Sequence, residues 1–430
     1  MAQHATASKN LQLLASSELV SVQLPLPVLG ALANAENAFF DLCVRVGRDV
    51  FDAMMEHDRA AVCGPKGKHD RDRDAVRAGS TSAEITLGGR RIGVRRLRAR
   101  GAQGEIPLPS FVFAANRDPL DRHTMEAIAC GVSTRKYRRS LERLSSGQQE
   151  RATSKSSVSR RFVALSRQRM TELLSVSLAD LDLRVIVRDG IVFRDRTVLI
   201  VLGIDSAGNK HVLGIREGTT ENQGVARALL RDLLDRGLSS ERAYLFAIDG
   251  AKGLRAAILG TFGQLAVVQR CQIHKRRNIL DHLPAMLHPS VDRVLSEAWS
   301  SSDVKLARTR LEKLASSLEE QHPGAAASTR EGLEETLTLQ RLGIDGALQR
   351  TLRSTNTIEN LNGSVAHYTK NVKRWRSGSM LMRWVAASVL EASEGFRRIR
   401  GYKQLAKLIQ ALEKIEAAQL GGSKTDSQVA

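Results

Sequence analysis

The chain has 430 residues, of which 42% are hydrophobic and 26% are charged, which is sufficient for two to four domains with buried cores. This composition excludes wholesale disorder. It also excludes a membrane protein, because the longest apolar stretches, such as residues 198–204, are far shorter than the roughly 20 residues of a spanning helix. Lys and Arg number 65 against 46 Asp and Glu, a formal net charge of +19. An excess of this size predicts a nucleic-acid partner.

The cysteines indicate a compartment. Four of them stand far apart, with no Cys-x-x-Cys pair, which is typical of a reducing environment and argues against a disulfide framework. Near the start, Glu18 and scattered polar residues interrupt any apolar signal-peptide segment. We therefore expect a cytoplasmic protein.

The first part of the chain is predicted to hold one helix and one basic hairpin. A loose polar arm over residues 1–24 precedes a helix over 29–62, where apolar residues recur at helical spacing. A polar loop over 63–82 then leads to two strands over 84–100 that meet at Gly88-Gly89. The arginines of the second strand fit either a solvated face or a phosphate-binding face. The candidate DNA contacts among them are Arg90, Arg91, Arg95 and Arg96.

The next region, residues 121–182, is predicted to be helical. Gly131 ends one helix, and Ser133 or Thr134 caps a second, basic helix over 135–144. A third helix opens with small hydroxyl residues and arginine from residue 154. The pattern fits a helix-turn-helix DNA reader or a helical linker with a charged face. The candidate DNA contacts here are Arg135, Arg138, Lys155, Arg160 and Arg161.

From residue 183 the apolar pattern changes to that of strands. Three strands are followed by helix, strand, helix and strand, with a hairpin turn at residues 205–209. Early strands joined by tight turns and later strands joined through helices predict an α/β fold with a mixed sheet. Helical patterns fill residues 272–352, and one last long helix is predicted over 356–391 before a polar tail.

Three acidic residues lie where a sheet-based active site would need them. Asp189 is in the first strand region, Asp249 follows a buried strand, and Glu359 is near the start of the last long helix. Three convergent carboxylates can hold two divalent ions about 3.5–4 Å apart for phosphodiester cleavage. Each residue also has a purely structural interpretation: a hairpin turn at Asp189-Gly190, a helix cap at Asp249, and a capping box formed by Asn356 with Glu359.

Several stretches together resemble the Mutator family of bacterial insertion-sequence transposases. The resemblance covers about residues 120 to 395 in order, and the blocks around residues 269–278 and 354–362 are its most specific parts. The matching stretches are Ala-Cys-Gly-Val-Ser-Thr-Arg (129–135), Ser-Lys-Ser-Ser-Val-Ser (154–159), Val-Arg-Asp-Gly (187–190), Val-Leu-Gly-Ile-Asp (201–205), Arg-Gly-Leu (236–238), Ile-Asp-Gly-Ala-Lys-Gly-Leu (248–254), Gln-Arg-Cys-Gln-Ile-His-Lys-Arg-Arg-Asn (269–278), Ser-Thr-Asn-Thr-Ile-Glu-Asn-Leu-Asn (354–362) and Asn-Val-Lys-Arg-Trp (371–375).

The resemblance implies an RNase H-like catalytic domain whose triad falls on Asp189, Asp249 and Glu359, with Asp189 inside the first strand. The 110 residues between Asp249 and Glu359 look like the all-helical insertion of that superfamily. The implied regions are an N-terminal arm and helix (1–62), a basic hairpin and loop region (63–120), a helix-turn-helix-like DNA-binding region (121–182), the RNase H-like core (183–275), the helical insertion (276–352), the C-terminal catalytic helix (353–400) and a tail (401–430).

The resemblance also implies cofactors and partners. Two Mg²⁺ or Mn²⁺ ions held by the triad would support cleavage and strand transfer on double-stranded DNA, namely the terminal inverted repeats of the element and the target DNA. Joining two ends requires both in one complex, so a homodimer or larger assembly is expected. The resemblance also implies that the protein acts on the bacterial nucleoid in the cytoplasm and not at a membrane.

Further site residues are implied near the triad. Cys271 and His274 form the Cys-x-x-His signature of the family, and we expect them to be structural residues near the site, because two ligands do not make a zinc site. Trp375, beside Lys373 and Arg374, is expected to face DNA. Trp299 fits core packing better than stacking on an unpaired base.

Two other functions fit the same residues. A non-catalytic DNA-binding protein, such as a repressor descended from a transposase, would keep the basic helices without needing the carboxylates. An RNase H-like nuclease would cut DNA without joining it, and only the reaction product separates it from a transposase.

Overall fold

A computed structural model describes residues 9–15, 18–24, 36–68, 75–87, 90–116, 126–128, 131–140, 150–151, 154–218 and 223–425. The chain divides into two compact units, Met1–Leu165 and Ser166–Ala430. Among the described helices, none has the length and apolar character needed to cross a membrane.

The first unit contains a small antiparallel sheet and helices. Its elements are β1 (Lys9–Ala15), β2 (Glu18–Leu24), α1 (Glu36–Cys63), β3 (Ala75–Leu87), β4 (Arg90–Gly101), β5 (Gly104–Ile106), α2 (Pro109–Asn116), β6 (Glu150–Arg151) and α3 (Lys155–Ser175), which continues into the second unit. The β3–β4 hairpin is the centre of the unit, and β5 and β6 both pair with β4. Ile92 and Val94 of β4 are buried whereas Arg91 and Arg95 are exposed, as the alternation of a half-buried strand requires.

Several predictions for this unit are corrected by the structure. The stretch expected as a loose arm forms the β1–β2 pair, and β3 begins at Ala75, inside the predicted loop. The β1–β2 pair and the first part of β3 are stabilised by cross-strand backbone hydrogen bonds, which form without an apolar pattern in the sequence. The hairpin itself is confirmed, although its turn at residues 88–89 lies outside the described residues.

The predicted helix-turn-helix region is described only in part. Gly131, with φ +97°, ends a helical turn: its N–H donates to the Ile128 carbonyl and that of Val132 to the Ala127 carbonyl, a Schellman arrangement. The Ser133 hydroxyl accepts the Lys136 N–H at 3.3 Å. A 3₁₀ turn, Tyr137–Ser140, occupies the start of the predicted second helix, and residues 141–149 lie outside the description.

A mixed five-stranded sheet organises the second unit. Its elements are β7 (Leu183–Phe193), β8 (Arg196–Asp205), β9 (Lys210–Gly218), α4 (Gln223–Asp235), β10 (Tyr244–Ile248), α5 (Lys252–Phe262) and β11 (Ala266–Arg270). The strand order is β11-β10-β7-β8-β9, with β7, β8 and β9 antiparallel and with β10 and β11 parallel to β7. The predicted α/β class and mixed sheet are therefore confirmed.

A group of helices follows the sheet. They are α6 (Gln272–Leu280), α7 (His288–Ser300), α8 (Val304–Leu318), α9 (Pro323–Arg330), α10 (Leu333–Thr336), α11 (Thr338–Arg341) and α12 (Gly346–Leu352). Leu339, Leu348 and Leu352 of α11 and α12 pack in the core of the sheet, whereas α6 to α10 share a core of their own. Trp299 is 2% exposed in that core, and its indole N–H donates to the Thr336 hydroxyl at 3.2 Å. Core packing, the preferred interpretation of Trp299, is therefore what the structure shows.

The C-terminal part differs from the predicted single helix and tail. It forms three helices, α13 (Asn356–Thr369), α14 (Gly378–Glu394) and α15 (Leu405–Thr425). The segment that separates α13 from α14 contains Lys373, Arg374 and Trp375. The predicted tail is wrong because Leu405, Leu408 and Leu412 recur at helical spacing and are all at most 1% exposed.

Helices cover both faces of the sheet. Along β7, Val185 and Val187 pack with α13, α14 and α15, whereas Ile186 packs with α4 and α5 on the other face. This alternation follows from the two-residue period of a strand. The central strands are thus buried on both sides.

Candidate active site

Asp189 lies inside β7 and not in a turn. The strand continues through it to Phe193, and the chain reverses at Arg194, whose φ is +58°. The hairpin interpretation of Asp189-Gly190 is therefore wrong. One carboxylate oxygen of Asp189 accepts the Gly190 N–H at 2.9 Å, and the other accepts the side-chain amide of Asn362 on α13 at 2.8 Å.

Asp249 follows β10 beside Asp189. The register that pairs Ala247 with Val187 brings Asp249 level with Asp189 on a neighbouring parallel strand, and such strands are about 4.8 Å apart. The Asp249 carboxylate accepts the Ala251 N–H at 3.1 Å. The residue that caps α5 is Ala251, so the helix-cap interpretation of Asp249 is wrong.

Glu359 is in the first turn of α13. Its Oε1 accepts the hydroxyl of Thr355 at 2.7 Å, and Thr355 is both the N-cap of the helix and fully buried. A capping box with Asn356 is therefore not formed, because the carboxylate bonds to a side chain and not to the backbone of the cap. The bond from Asn362 to Asp189 holds this helix against β7, and the charge of Glu359 acts on Asp189.

Cys271 and His274 lie next to Glu359. Cys271 is buried between β11 and α6, and its backbone N–H donates to the Ile248 carbonyl at 2.7 Å. The Thr355 hydroxyl is 3.4 Å from the Cys271 sulfur and 3.3 Å from Nδ1 of His274. Nδ1 of His274 is 3.9 Å from Oε1 of Glu359. The potential ligand atoms of Cys271, His274 and Glu359 all lie within 4.8 Å of one another.

The site concentrates negative charge in a buried position. Burial, together with the charges of Asp249 and Glu359, raises the pKa of Asp189 to about 6, although the Gly190 N–H and His274 act in the opposite direction. The pKa of His274 is raised by its hydrogen bond to Cys271 and by both Glu359 and Asp189. Burial opposes ionisation of Cys271, but hydrogen bonds from His274 and Thr355 outweigh it and lower the pKa of the thiol. A bound cation would relieve the repulsion among the carboxylates.

The predicted DNA contacts are distributed over both units. Arg95, Arg135, Lys155 and Arg160 are exposed in the first unit, and Arg161 is half-buried. Arg91 is exposed and pairs with Glu84 at 3.3 Å, and Arg96 pairs with Glu105 at 2.7 Å. The side chains of Arg90 and Arg138 lie outside the described residues.

The basic segment between α13 and α14 has two kinds of side chain. Lys373 and Arg374 are exposed. Trp375 is half-buried, and its ring meets that of Phe193 edge-on at 5.4 Å between centroids. A large part of the Trp375 ring thus packs against the core, and the two cations beside it are the groups that are open to solvent.

Thr355 and Asn362 were not predicted as site residues from the sequence. Both belong to the block Ser-Thr-Asn-Thr-Ile-Glu-Asn-Leu-Asn, and Thr355 and Asn362 stand four residues before and three residues after Glu359. This helical spacing places all three on one side of α13 and is a signal that could have identified them.

Comparison with known proteins identifies the family. Residues 30–398 match the family described as "Transposase, Mutator family". The chain is 27% identical to a transposase for insertion sequence element ISRM5 of Rhizobium meliloti, over 83% of this chain and 88% of that protein. It is 25% identical to the transposase for IS256 in transposon Tn4001 of Staphylococcus aureus, over 82% of this chain and 90% of that protein.

A third relative is matched over a shorter length. The transposase for insertion sequence element IST2 of Acidithiobacillus ferrooxidans is 30% identical over 43% of this chain, and the match spans 61% of that relative. The family match covers most of the chain, so this protein belongs to the Mutator family of transposases. The resemblance noted in the sequence is thereby confirmed.

Proposed function

We propose that this protein is the DNA transposase of an insertion sequence, with an RNase H-like core in which Asp189, Asp249 and Glu359 form a DDE triad. Support comes from a sheet whose first three strands are antiparallel and whose next two are parallel, followed by a helical insertion. One observation carries the proposal. Asp189 and Asp249 lie level on neighbouring strands, and a hydrogen bond from Asn362 to Asp189 attaches the helix that bears Glu359.

The donor set fits divalent cations of the magnesium type. Asp189, Asp249 and Glu359 supply carboxylate oxygens, the ligands preferred by Mg²⁺ and Mn²⁺. Burial, together with the negative charges of Asp249 and Glu359, raises the pKa of Asp189. Two such ions would supply Lewis-acid activation of the attacking oxygen and stabilisation of the leaving oxygen.

The residues of this chain orient that site. Asn362 and the Gly190 N–H each hold one oxygen of Asp189, and Thr355 occupies Oε1 of Glu359. In the proposed reaction, water attacks a phosphodiester and the 3′ oxygen leaves. That freed 3′-hydroxyl then attacks a second phosphodiester, whose own 3′ oxygen leaves. No bond between protein and DNA is formed in either step.

The remaining parts would bind DNA. The exposed arginines of β4 and the helix-turn-helix-like region are proposed to contact the terminal inverted repeats, and the phosphate backbone would account for most of the affinity. Joining two ends requires both in one complex, so we propose a dimer or a larger assembly with target DNA. The similarity to transposases of insertion sequence elements supports the same function.

The test is the formation of joined element ends. The gene with its native flanking DNA is placed on a plasmid, and outward amplification from within the gene detects abutted ends. The wild type is expected to form junctions and Glu359→Gln is expected to form none. The control variant Glu320→Gln changes an exposed glutamate on the insertion and is expected to form junctions at the wild-type yield.

Two outcomes would contradict the proposal. Junctions formed equally by Glu359→Gln would refute the assignment of the triad, as would Mg²⁺-dependent DNA cleavage by purified Asp249→Ala at the wild-type rate. A wild-type protein that cleaves DNA but yields no junctions would identify a nuclease that cuts without joining.

A further inference from the structure

A basic groove of about 520 Å³ lies in the second unit, on the flank of α13. Its cationic side chains are Lys210, Arg350, Arg398 and Arg400, and α13 contributes the amide side chains of Asn356 and Asn360. None of the described residues that line the groove is acidic. None of these positions was predicted from the sequence to contact DNA.

The arginines of the groove have no carboxylate partner among the described residues. This holds for the guanidinium groups of Arg350 and Arg400. Within the same described ranges, the hydrogen bond that Arg398 donates goes to an amide oxygen, that of Asn209 at 3.3 Å. Burial and the neighbouring cations Arg276 and Arg350 lower the pKa of Arg353, which directly precedes the lining residue Ser354 in the chain. The groove is thus a region of positive potential that favours an anionic ligand.

The backbone that carries two of these cations is fixed in place. Ile399 is 5% exposed and its N–H donates to the Gly208 carbonyl at 3.0 Å. The Arg400 carbonyl accepts the Thr351 hydroxyl at 2.9 Å. Gly401, with φ +81°, packs directly against the backbone of Leu348, where a Cβ would collide. Because this segment is already ordered, a ligand of Arg398 and Arg400 would bind without the entropic cost of ordering it.

The groove and the catalytic carboxylates share one helix. Asn360 follows Glu359 directly on α13, so the helix presents Glu359 and Asn362 to the carboxylate site and Asn356 and Asn360 to the groove. A polymer that leaves the carboxylate site along this flank of α13 would enter the groove. Arginine binds phosphate with paired hydrogen bonds, and asparagine amides also donate to phosphate oxygens.

We propose that this groove binds the sugar–phosphate backbone of the DNA strand that is cleaved at the carboxylate site. The inference rests on the proposed function and extends it by assigning a position to the strand beside the active site. Arg350, Arg398 and Arg400 would each neutralise one phosphate, and Asn356 and Asn360 would donate to phosphate oxygens.

The experiment measures the salt dependence of DNA binding by the full-length protein in EDTA, with a duplex of random sequence as the probe. The groove variant carries Arg350→Gln, Arg398→Gln and Arg400→Gln. A matched control removes three exposed arginines elsewhere in the second unit, Arg227, Arg231 and Arg293, also by substitution with Gln. Thermal unfolding of each variant verifies that it is folded.

Each phosphate contact contributes about 0.9 to the slope of log K against log salt concentration. The groove variant is therefore expected to lower the slope by about 2 to 3, and the control variant is expected to keep it. Substitution of the same three arginines by lysine is expected to restore the wild-type slope, because an ammonium still neutralises a phosphate.

An unchanged slope in the folded groove variant would overturn the inference and leave the proposed function intact, provided that the wild type still joins element ends. An equal fall in the lysine variant or in the control variant would also overturn it. If the wild type fails to bind DNA at all, the proposed function fails together with the inference. If Glu359→Gln forms no junctions but keeps the wild-type slope of DNA binding against salt concentration, catalysis and the groove contact are separate properties.

Discussion

Replacing Thr355 by valine should slow strand cleavage without unfolding the protein. The hydroxyl of this fully buried residue donates to Oε1 of Glu359 at 2.7 Å and lies within 3.4 Å of both the Cys271 sulfur and Nδ1 of His274. Valine keeps the shape of the side chain and removes this bond. A hydrogen bond to a charged group contributes about 1.5–3 kcal/mol, which corresponds to a roughly 10- to 100-fold lower rate if the bond is needed in the transition state.

The measurement is single-turnover cleavage of a duplex that carries an element end, at saturating Mg²⁺, together with thermal unfolding. Thr355→Ser is the matched control because it keeps the hydroxyl and loses only a methyl group, so its cleavage rate should stay within about threefold of wild type, while stability falls by about 1 kcal/mol. A folded Thr355→Val protein that cleaves as fast as Thr355→Ser would refute the role given to this hydroxyl.

Three further outcomes are expected. Asn362→Ala should lower the cleavage rate at least tenfold and raise the Mg²⁺ concentration needed for half-maximal rate, because Asp189 loses the amide that orients it; an unchanged Mg²⁺ titration would contradict this. Burial and the Arg270 charge lower the pKa of Lys275 to about 8 from 10.5, so the folded state disfavours its proton. Below pH 8 the buried ammonium lowers the free energy of unfolding by its full amount. Between pH 8 and 10.5 the free energy of unfolding of the wild type, measured with denaturant, should rise by up to about 3 kcal/mol relative to that of Lys275→Met. A difference between the two proteins that is independent of pH would show that burial does not destabilise the ammonium. Leu408→Ala, at a fully buried site on α15, should cost about 2–5 kcal/mol of unfolding free energy, whereas Lys407→Ala at an exposed site should cost less than about 1 kcal/mol; equal losses would argue against docking of α15 on the sheet.

Local patterns of the sequence were sufficient for most elements of the sheet. The apolar run before Asp249 and the amphipathic stripe of α4 predicted a buried strand and a helix that the structure contains, because a period of 2 or 3.6 is a property of the chain itself. The turn at residues 205–209 was also predicted from local sequence, because glycine readily adopts a positive φ such as the +84° of Gly208. The helix α15 was missed although Leu405, Leu408 and Leu412 carried its pattern.

Other features depended on partners distant in sequence. Asp189-Gly190 has the local chemistry of a hairpin turn, and its pairing with Ile200 and Leu199 of β8 keeps it extended. The break between α13 and α14 contains no proline or glycine until Gly378, and there the Trp375 ring packs against Phe193.

The family, the periodicity of the core and the three carboxylates that are candidates for catalysis follow from the amino-acid sequence. How these carboxylates are held depends on the fold, because Thr355 and Asn362 act through hydrogen bonds to side chains that strand register and helix packing bring near. The groove beside α13 was likewise decided by folding, since Lys210, Arg350 and Arg400 are far apart along the chain. The spacing of residues along the sequence indicates which side chains lie on the same helix or strand, whereas contacts between helices and strands arise from packing.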